Sequence, residues 1–230
     1  MPFNQRKNHT LLILFILVIL FNASGSFAQK LSMAEAKHAG DSIIPEAILP
    51  FWQSLTLKEK AAQTLMVYMP SASYIKKHQF GGVLIMKPHL KDSLHLKEEL
   101  SLANESLKIP LLTAIDQEGG KVNRLQAISP EWKNLPSAKE MRTMTDDSVY
   151  NLAKQIGNEL HHYGINLNLA PVLDPPKDSK GKPSFIEVSN RSFGEFETAV
   201  PKIRSFVKGM KESKVLSTSK HFPGYDSWTN

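Results

Sequence analysis

Apolar residues fall into two alternating patterns along most of the chain. Short continuous runs are bounded by polar clusters: Thr64 to Met69, Gly81 to Met86, Pro110 to Ile115, Leu167 to Leu173 and Val215 to Phe222. Runs of this length between turn residues predict buried strands. Between them, apolar residues recur at helical spacing: Leu96, Leu100, Ala103 and Leu107; then Val149, Leu152, Ala153, Ile156 and Leu160, closed by Gly164; then Val200, Ile203, Val207 and Met210. A further helix is predicted from Leu57 to about Gln63. Thr56 and Glu59 have the capping-box spacing, in which each side chain can satisfy the other's free amide. Strands alternating with helices predict β/α units on a parallel sheet. The pattern does not separate a (β/α)8 barrel from an open doubly wound sheet. No G-x-G-x-x-G follows the first strand, which weighs against a dinucleotide fold.

Each predicted strand from the third onward ends in a polar or charged cluster: Asp116-Gln117-Glu118, Asp174, and Lys220-His221. In parallel β/α folds the site gathers at the carboxyl ends of the strands. About five strands are counted, whereas a closed barrel of the TIM type has eight in roughly 250 residues. The fold expected is therefore α/β, an incomplete TIM (β/α)8-type barrel.

Composition narrows the picture. A chain of 230 residues, 41% hydrophobic and 22% charged, can bury a core and is not of disordered type. The formal charge of +6 includes Arg6 and Lys7. There is no basic block with interleaved aromatics, so nucleic acid is not an expected partner. With no cysteine, disulfides, thiol catalysis and Cys-held metals are excluded.

Residues 1–28 are expected to be a signal peptide. Arg6 and Lys7 form the basic start, Leu11 to Phe21 is unbroken apolar sequence, and Ser26 and Ala28 stand at the −3 and −1 positions before Gln29. The run falls short of the about 20 residues that span a bilayer. Export to the periplasm or beyond follows, with no stable membrane insertion once the signal is removed. Residues 29–54 form a leader, and 55–230 form the barrel domain.

Four segments carry candidate chemistry. In Asp116-Gln117-Glu118-Gly119-Gly120-Lys121-Val122-Asn123-Arg124, acids precede a glycine pair that lets the backbone turn sharply, and Arg124 can return to the same mouth. A carboxylate beside a guanidinium suits sugar hydroxyls, one accepting and the other donating. The competing reading is a structural salt bridge. In Leu169-Ala170-Pro171-Val172-Leu173-Asp174, Asp174 is given a supporting role, orienting Lys220 or Arg191. Asn190-Arg191-Ser192-Phe193-Gly194 follows a polar loop, Lys177 to Ser189, where an arginine is ordinarily solvated. In Ser219-Lys220-His221-Phe222-Pro223-Gly224, a Lys-His pair ends a strand before a turn.

Taken together, DQEGGKVNR, APVLD, NRSFGE and KHFPG resemble, in order and placement, the N-terminal barrel of glycoside hydrolase family 3. The DQEGG and KHFPG forms resemble its β-N-acetylhexosaminidase branch. The resemblance covers roughly Leu55 to Asn230. It implies a retaining, exo-acting glycosidase that removes terminal N-acetylglucosamine from cell-wall or chitin-type glycans, with no cofactor and no metal. It implies that Asp116, Arg124, Arg191, Lys220 and His221 hold the sugar. It also implies that the nucleophilic Asp and the acid/base His fall after Asn230, so that the 230 residues alone are inactive and poorly folded. Two departures stand out: Lys121 replaces an Arg common in that branch, and Tyr225 replaces a His common after KHFPG. Alternatives within the resemblance are a β-glucosidase and a non-catalytic carbohydrate-binding relative. Outside it, Gly40-Asp41-Ser42 and Asp92-x-x-His95 suggest a serine esterase, but the first lacks a preceding strand and the second falls inside a helix. Adjacent His161 and His162 do not face one metal on a helix.

Overall fold

The computed structural model describes residues 45–222 and Gly224. The chain forms two units, 1–56 and 57–230. The expected signal peptide, most of the leader, the Gly40-Asp41-Ser42 segment and Tyr225 lie outside the described residues. In the first unit the described part is a short helix, α1 (Leu49–Ser54), with Pro50 in its first turn.

The second unit follows the predicted alternation. It runs α2 (Leu57–Gln63), β1 (Met66–Tyr68), α3 (Ala72–His78), β2 (Gly82–Ile85), α4 (Ser93–Asn104), β3 (Leu112–Ile115), α5 (Ala138–Met141), α6 (Asp146–His162), β4 (Leu167–Asn168), α7 (Phe185–Val188), α8 (Phe196–Glu212) and β5 (Leu216–Ser217). The five strands are all parallel and lie in chain order, β1-β2-β3-β4-β5. A doubly wound sheet reverses its strand order part-way. This one does not, which gives it the topology of a TIM-type barrel wall.

The register sorts the side chains onto two faces. Val83, Ile85, Thr113, Ile115 and Asn168 point to one face and are wholly buried. There they join a core with Leu96, Leu100, Val149, Ile156, Leu160, Phe206 and Met210 from the helices. Successive residues of a strand alternate faces, so Met66, Tyr68, Leu112 and Leu216 share the other face. All four are exposed. The prediction that Thr64–Met69 is a buried strand is therefore corrected: β1 is flanked on one side only, and its outward residues belong to the face the helices do not cover.

The long helices are placed by their apolar stripes. Thr145 caps α6 by accepting from the Ser148 amide. It and α8 approach closely where they are small. A methyl group at Gly209 would lie 2.4 Å from the Tyr150 carbonyl oxygen, and one at Gly157 would lie 2.7 Å from Ser213 Cβ. Asp92 accepts from the amide of His95 and caps α4, so the Asp-x-x-His spacing is a helix start. His161 and His162 end α6.

Two predicted ranges change. The fourth strand keeps only Leu167–Asn168 in the ladder, because Pro171 has no N–H to donate. The chain continues extended, with the Leu169 amide donating to Ile115 and Val172 bridged to Lys220. The supposed loop from Lys177 to Ser189 contains α7, whose start Ser184 caps by accepting from the Glu187 amide. In its first part, Asp178 folds a tight turn by accepting from the amides of Lys180 and Lys182. No described helix is long and apolar enough to cross a membrane.

Candidate active site

The site begins with how β3 ends. Gln117, the second residue past the strand, is wholly buried. Asn168 of β4 clamps its peptide from both sides: Oδ1 accepts from the Gln117 amide at 3.0 Å, and Nδ2 donates to the Gln117 carbonyl at 2.9 Å. The Gln117 side chain then organises the following loop. Its Oε1 accepts from the amides of Arg124 and Leu125, and its Nε2 donates to Asn123. The turn between needs its glycines. Gly119 and Gly120 have φ of 92° and 52°, and a methyl at Gly119 would lie 2.2 Å from the Pro136 carbonyl oxygen. With the loop set this way, Asp116 and Glu118 come forward at the strand's carboxyl end.

Lys220 meets both of them. Its amide donates to Pro171, and its carbonyl accepts from Leu173, which fixes the end of β5 beside the β4 extension. Its Nζ lies 2.5 Å from Asp116 Oδ1 and 2.7 Å from Glu118 Oε1. Arg191 closes the group with a fork on Glu118, Nε to Oε2 at 2.7 Å and Nη2 to Oε1 at 2.8 Å. Bidentate Arg–carboxylate pairs are strong and directional. Burial grades the four: side-chain exposure is 5% for Glu118, 16% for Lys220 and Arg191, and 24% for Asp116. The expectation of a solvated Arg191 is corrected. The loop delivers it inward because α7 ends one turn earlier, and the Arg191 amide donates to Ile186.

Asp174 has a different partner from the one expected. Its side chain is wholly buried, and Oδ2 accepts from both the amide and the Nδ1 of His221, at 3.0 and 2.7 Å. It thus orients His221, whereas Lys220 and Arg191 are held by Glu118. The reason is that the ends of the β4 extension and β5 run side by side, which puts Asp174 level with His221. Ser192 ties in the next loop by donating Oγ to the Asp174 carbonyl.

Arg124 is anchored through its amide. Among the described residues no ion pair joins its guanidinium to the four-charge group, and its Nε is buried without a hydrogen-bond partner. Lys121 is exposed and lines a cavity with Gly120, Ser137, Lys139, Glu140 and Asn190. Behind the Arg191 loop, Glu187 is shared by Arg142 and Lys139. Burial works to raise the Glu187 carboxyl, but the hydrogen bonds and charges of these two cations outweigh it and hold it below its ordinary value. Arg142 also donates to the Ser192 carbonyl, so it supports the Arg191 turn. Glu140 is likewise held low by the amide and hydroxyl of Ser137. Among the described residues no three His, Asp or Glu side chains converge as a metal site.

The geometry offers fixed donors and acceptors side by side, at the carboxyl ends of β3, the β4 extension and β5. Residues 56–230 match the description Glycosyl hydrolase family 3 N terminal domain.

This chain belongs to glycosyl hydrolase family 3. Among its relatives in that family, a beta-hexosaminidase of Actinobacillus pleuropneumoniae serotype 5b is 31% identical over 151 residues, covering 63% of this chain and 41% of the relative. Beta-hexosaminidase A of Pseudoalteromonas piscicida is 34% identical over 160 residues, covering 66% and 26%. The solved structure of Mycobacterium tuberculosis LpqI superposes with a TM-score of 0.64 at 28% identity, covering 78% of this chain and 52% of that one. A beta-N-acetylhexosaminidase from Beutenbergia cavernae superposes with a TM-score of 0.62 at 28% identity, covering 74% and 55%. The chain spans about half or less of the length of these relatives.

The sequence motifs singled out Asp116, Arg124, Arg191, Lys220 and His221, and the fold brings Asp116, Arg191 and Lys220 into one network. They named Gln117 and Glu118 within the strand-end cluster without giving either a role, and did not single out Asn168. For Glu118 the signal was present: it stands two residues from Asp116, the spacing that keeps side chains on one side of an extended segment.

Proposed function

We propose that the full-length protein is a β-N-acetylhexosaminidase that removes terminal N-acetylglucosamine from cell-wall or chitin-type glycans, working outside the cytoplasm. One observation carries this reading: Asp116, Glu118, Lys220 and Arg191 converge at the strand ends, with His221 held by Asp174 beside them. Family membership and the names of the relatives support the same assignment.

On this reading the five strands belong to an eight-stranded barrel. The residues described here form the binding half of the site. Asp116 accepts from sugar hydroxyls, Lys220 and Arg191 donate to them, and His221, with Nδ1 committed to Asp174, offers its Nε2. Held rigidly, they keep the terminal sugar in one orientation, and fixed orientation is a large part of any rate gain. Arg124 joins them once substrate supplies an acceptor. The bond is broken with retention in two steps through a covalent glycosyl-enzyme, using a nucleophilic Asp and an acid/base His contributed beyond Asn230. Ser26-Phe27-Ala28 supports export with cleavage near Ala28.

The test is hydrolysis of chromogenic sugars by the full-length protein. Release from an N-acetylglucosaminide well above release from a glucoside is the expected result. The reverse preference would make it a β-glucosidase. Sugar binding with no turnover of either would make it a carbohydrate-binding relative.

A further inference from the structure

We propose that Glu118 makes the mouth select an uncharged terminal sugar and reject an acidic one. The inference rests on the reading of the mouth as a sugar site. A cluster with Arg191 and Lys220 is rich in the groups that recognise carboxylates, and a guanidinium fork is the best of them. That fork is already filled. Glu118 lays both of its oxygens on Arg191, at 2.7 and 2.8 Å, and one of them also meets Lys220 at 2.7 Å.

Glu118 is too deep to serve as a sugar contact itself, with 5% of its side chain exposed. Asp116 is the more open acid. Its Oδ1 meets Lys220, and among the described residues its Oδ2 accepts no hydrogen bond. Two carboxylates two residues apart therefore divide the labour. Asp116 faces the ligand. Glu118 positions the cations and cancels their charge.

The balance extends over the whole mouth. Asp116, Glu118 and Asp174 stand against Arg191 and Lys220, with His221 paired to Asp174. Sugar hydroxyls can still use the cations as hydrogen-bond donors, because such bonds need direction and not net charge. A carboxylate on the same ring must either displace Glu118 or sit beside it and Asp116. Both cost free energy that a neutral sugar does not face, which is how repulsion makes specificity.

The experiment uses two ligands that differ only at C6: N-acetylglucosamine and N-acetylglucosaminuronic acid, titrated calorimetrically at low salt into full-length wild type and Glu118→Gln. Wild type is expected to bind the neutral sugar at least about tenfold more tightly than the acid. In Glu118→Gln the acid should gain about tenfold while the neutral sugar weakens, and the gain should shrink as added salt screens the exposed positive charge. Equal weakening of both ligands would leave Glu118 a purely structural residue and overturn the proposal. Equal affinity of wild type for both sugars would overturn it without any variant, which decides the matter even if Glu118→Gln does not fold. Binding of neither sugar to wild type would overturn the sugar reading itself, and this inference with it.

Discussion

The contact between α6 and α8 and the mouth around Lys220 are both dense, but they are dense for opposite reasons. The helix pair is close because side chains are missing: Gly209 lets the backbone of α6 approach to a distance that a methyl group would forbid. Charges on its outer side are exposed, where Glu212 meets Lys154 and Tyr150. The mouth is close because charges are present and interlocked at low exposure. Exposed ion pairs contribute little, since water competes for both partners. Shielded ones are strongly coupled, and removing one member leaves the rest uncompensated. The helix pair is therefore held through shape, while the mouth is held through charge.

Substitutions can break this contrast, and they differ widely in expected size. The largest effect is expected at Gly209→Ala. The new methyl meets the backbone of Tyr150 and Lys154, which cannot rotate away. A stability loss of about 3 kcal/mol in urea unfolding is expected, with substrate KM unchanged in the fraction that remains folded. A loss below about 0.5 kcal/mol would show that the helices slide apart freely.

Asp116→Asn comes next and should act on the other axis. Full-length enzyme is expected to lose about 100-fold in kcat/KM, equivalent to about 2.7 kcal/mol, with a smaller effect on the unfolding midpoint, because Lys220 keeps Glu118 and Asp116 is the most exposed of the four. Equal loss of activity and stability would turn Asp116 into a structural bridge.

Glu187 sits between the two kinds of region and sharpens the comparison through pH. Its carboxyl is held below the ordinary value of 4.5 by Arg142 and Lys139, against the opposing effect of burial. A depressed carboxyl stabilises the fold fully above its unfolded pKa, and the contribution is lost as pH falls through the folded pKa. Stability should therefore decline below about pH 4.5, and Glu187→Gln should flatten that acid limb. An unchanged acid limb in the variant would remove Glu187 as its cause.

The smallest effect is expected at Glu212→Gln. The carboxylate is solvent-exposed, although Tyr150 and Lys154 hold it below its ordinary value. Neither the unfolding midpoint nor kcat/KM should move measurably. A clear loss of stability would mean that the surface lacing of the helix pair matters as much as its glycine contact.

The same contrast explains what could be read along the chain. The α6 and α8 helices were legible because their apolar stripes repeat within a few residues, and five strands were legible as short apolar runs. The exposure of β1 was not, since an apolar run looks the same whether one face or both are covered. In the mouth, residue types were legible but partners were not. Glu118 and Arg191 stand 73 positions apart, and Lys220 and Asp116 stand 104 apart. Asp174 was assigned the wrong partner for that reason. The roles of Gln117 and Asn168 were not legible because buried amides carry no charge pattern.

Sequence alone determined the β/α alternation, the family and the chemical types gathered at the strand ends. These depend on local periodicity and on short motifs whose residues are neighbours in the chain. Tertiary structure alone decided the strand order, which face of the sheet is covered, and which cation each acid holds. Those depend on register between parallel strands, a relation between distant segments: Leu167 must lie beside Leu216 before Asp174 can meet His221 and Glu118 can meet Arg191 and Lys220.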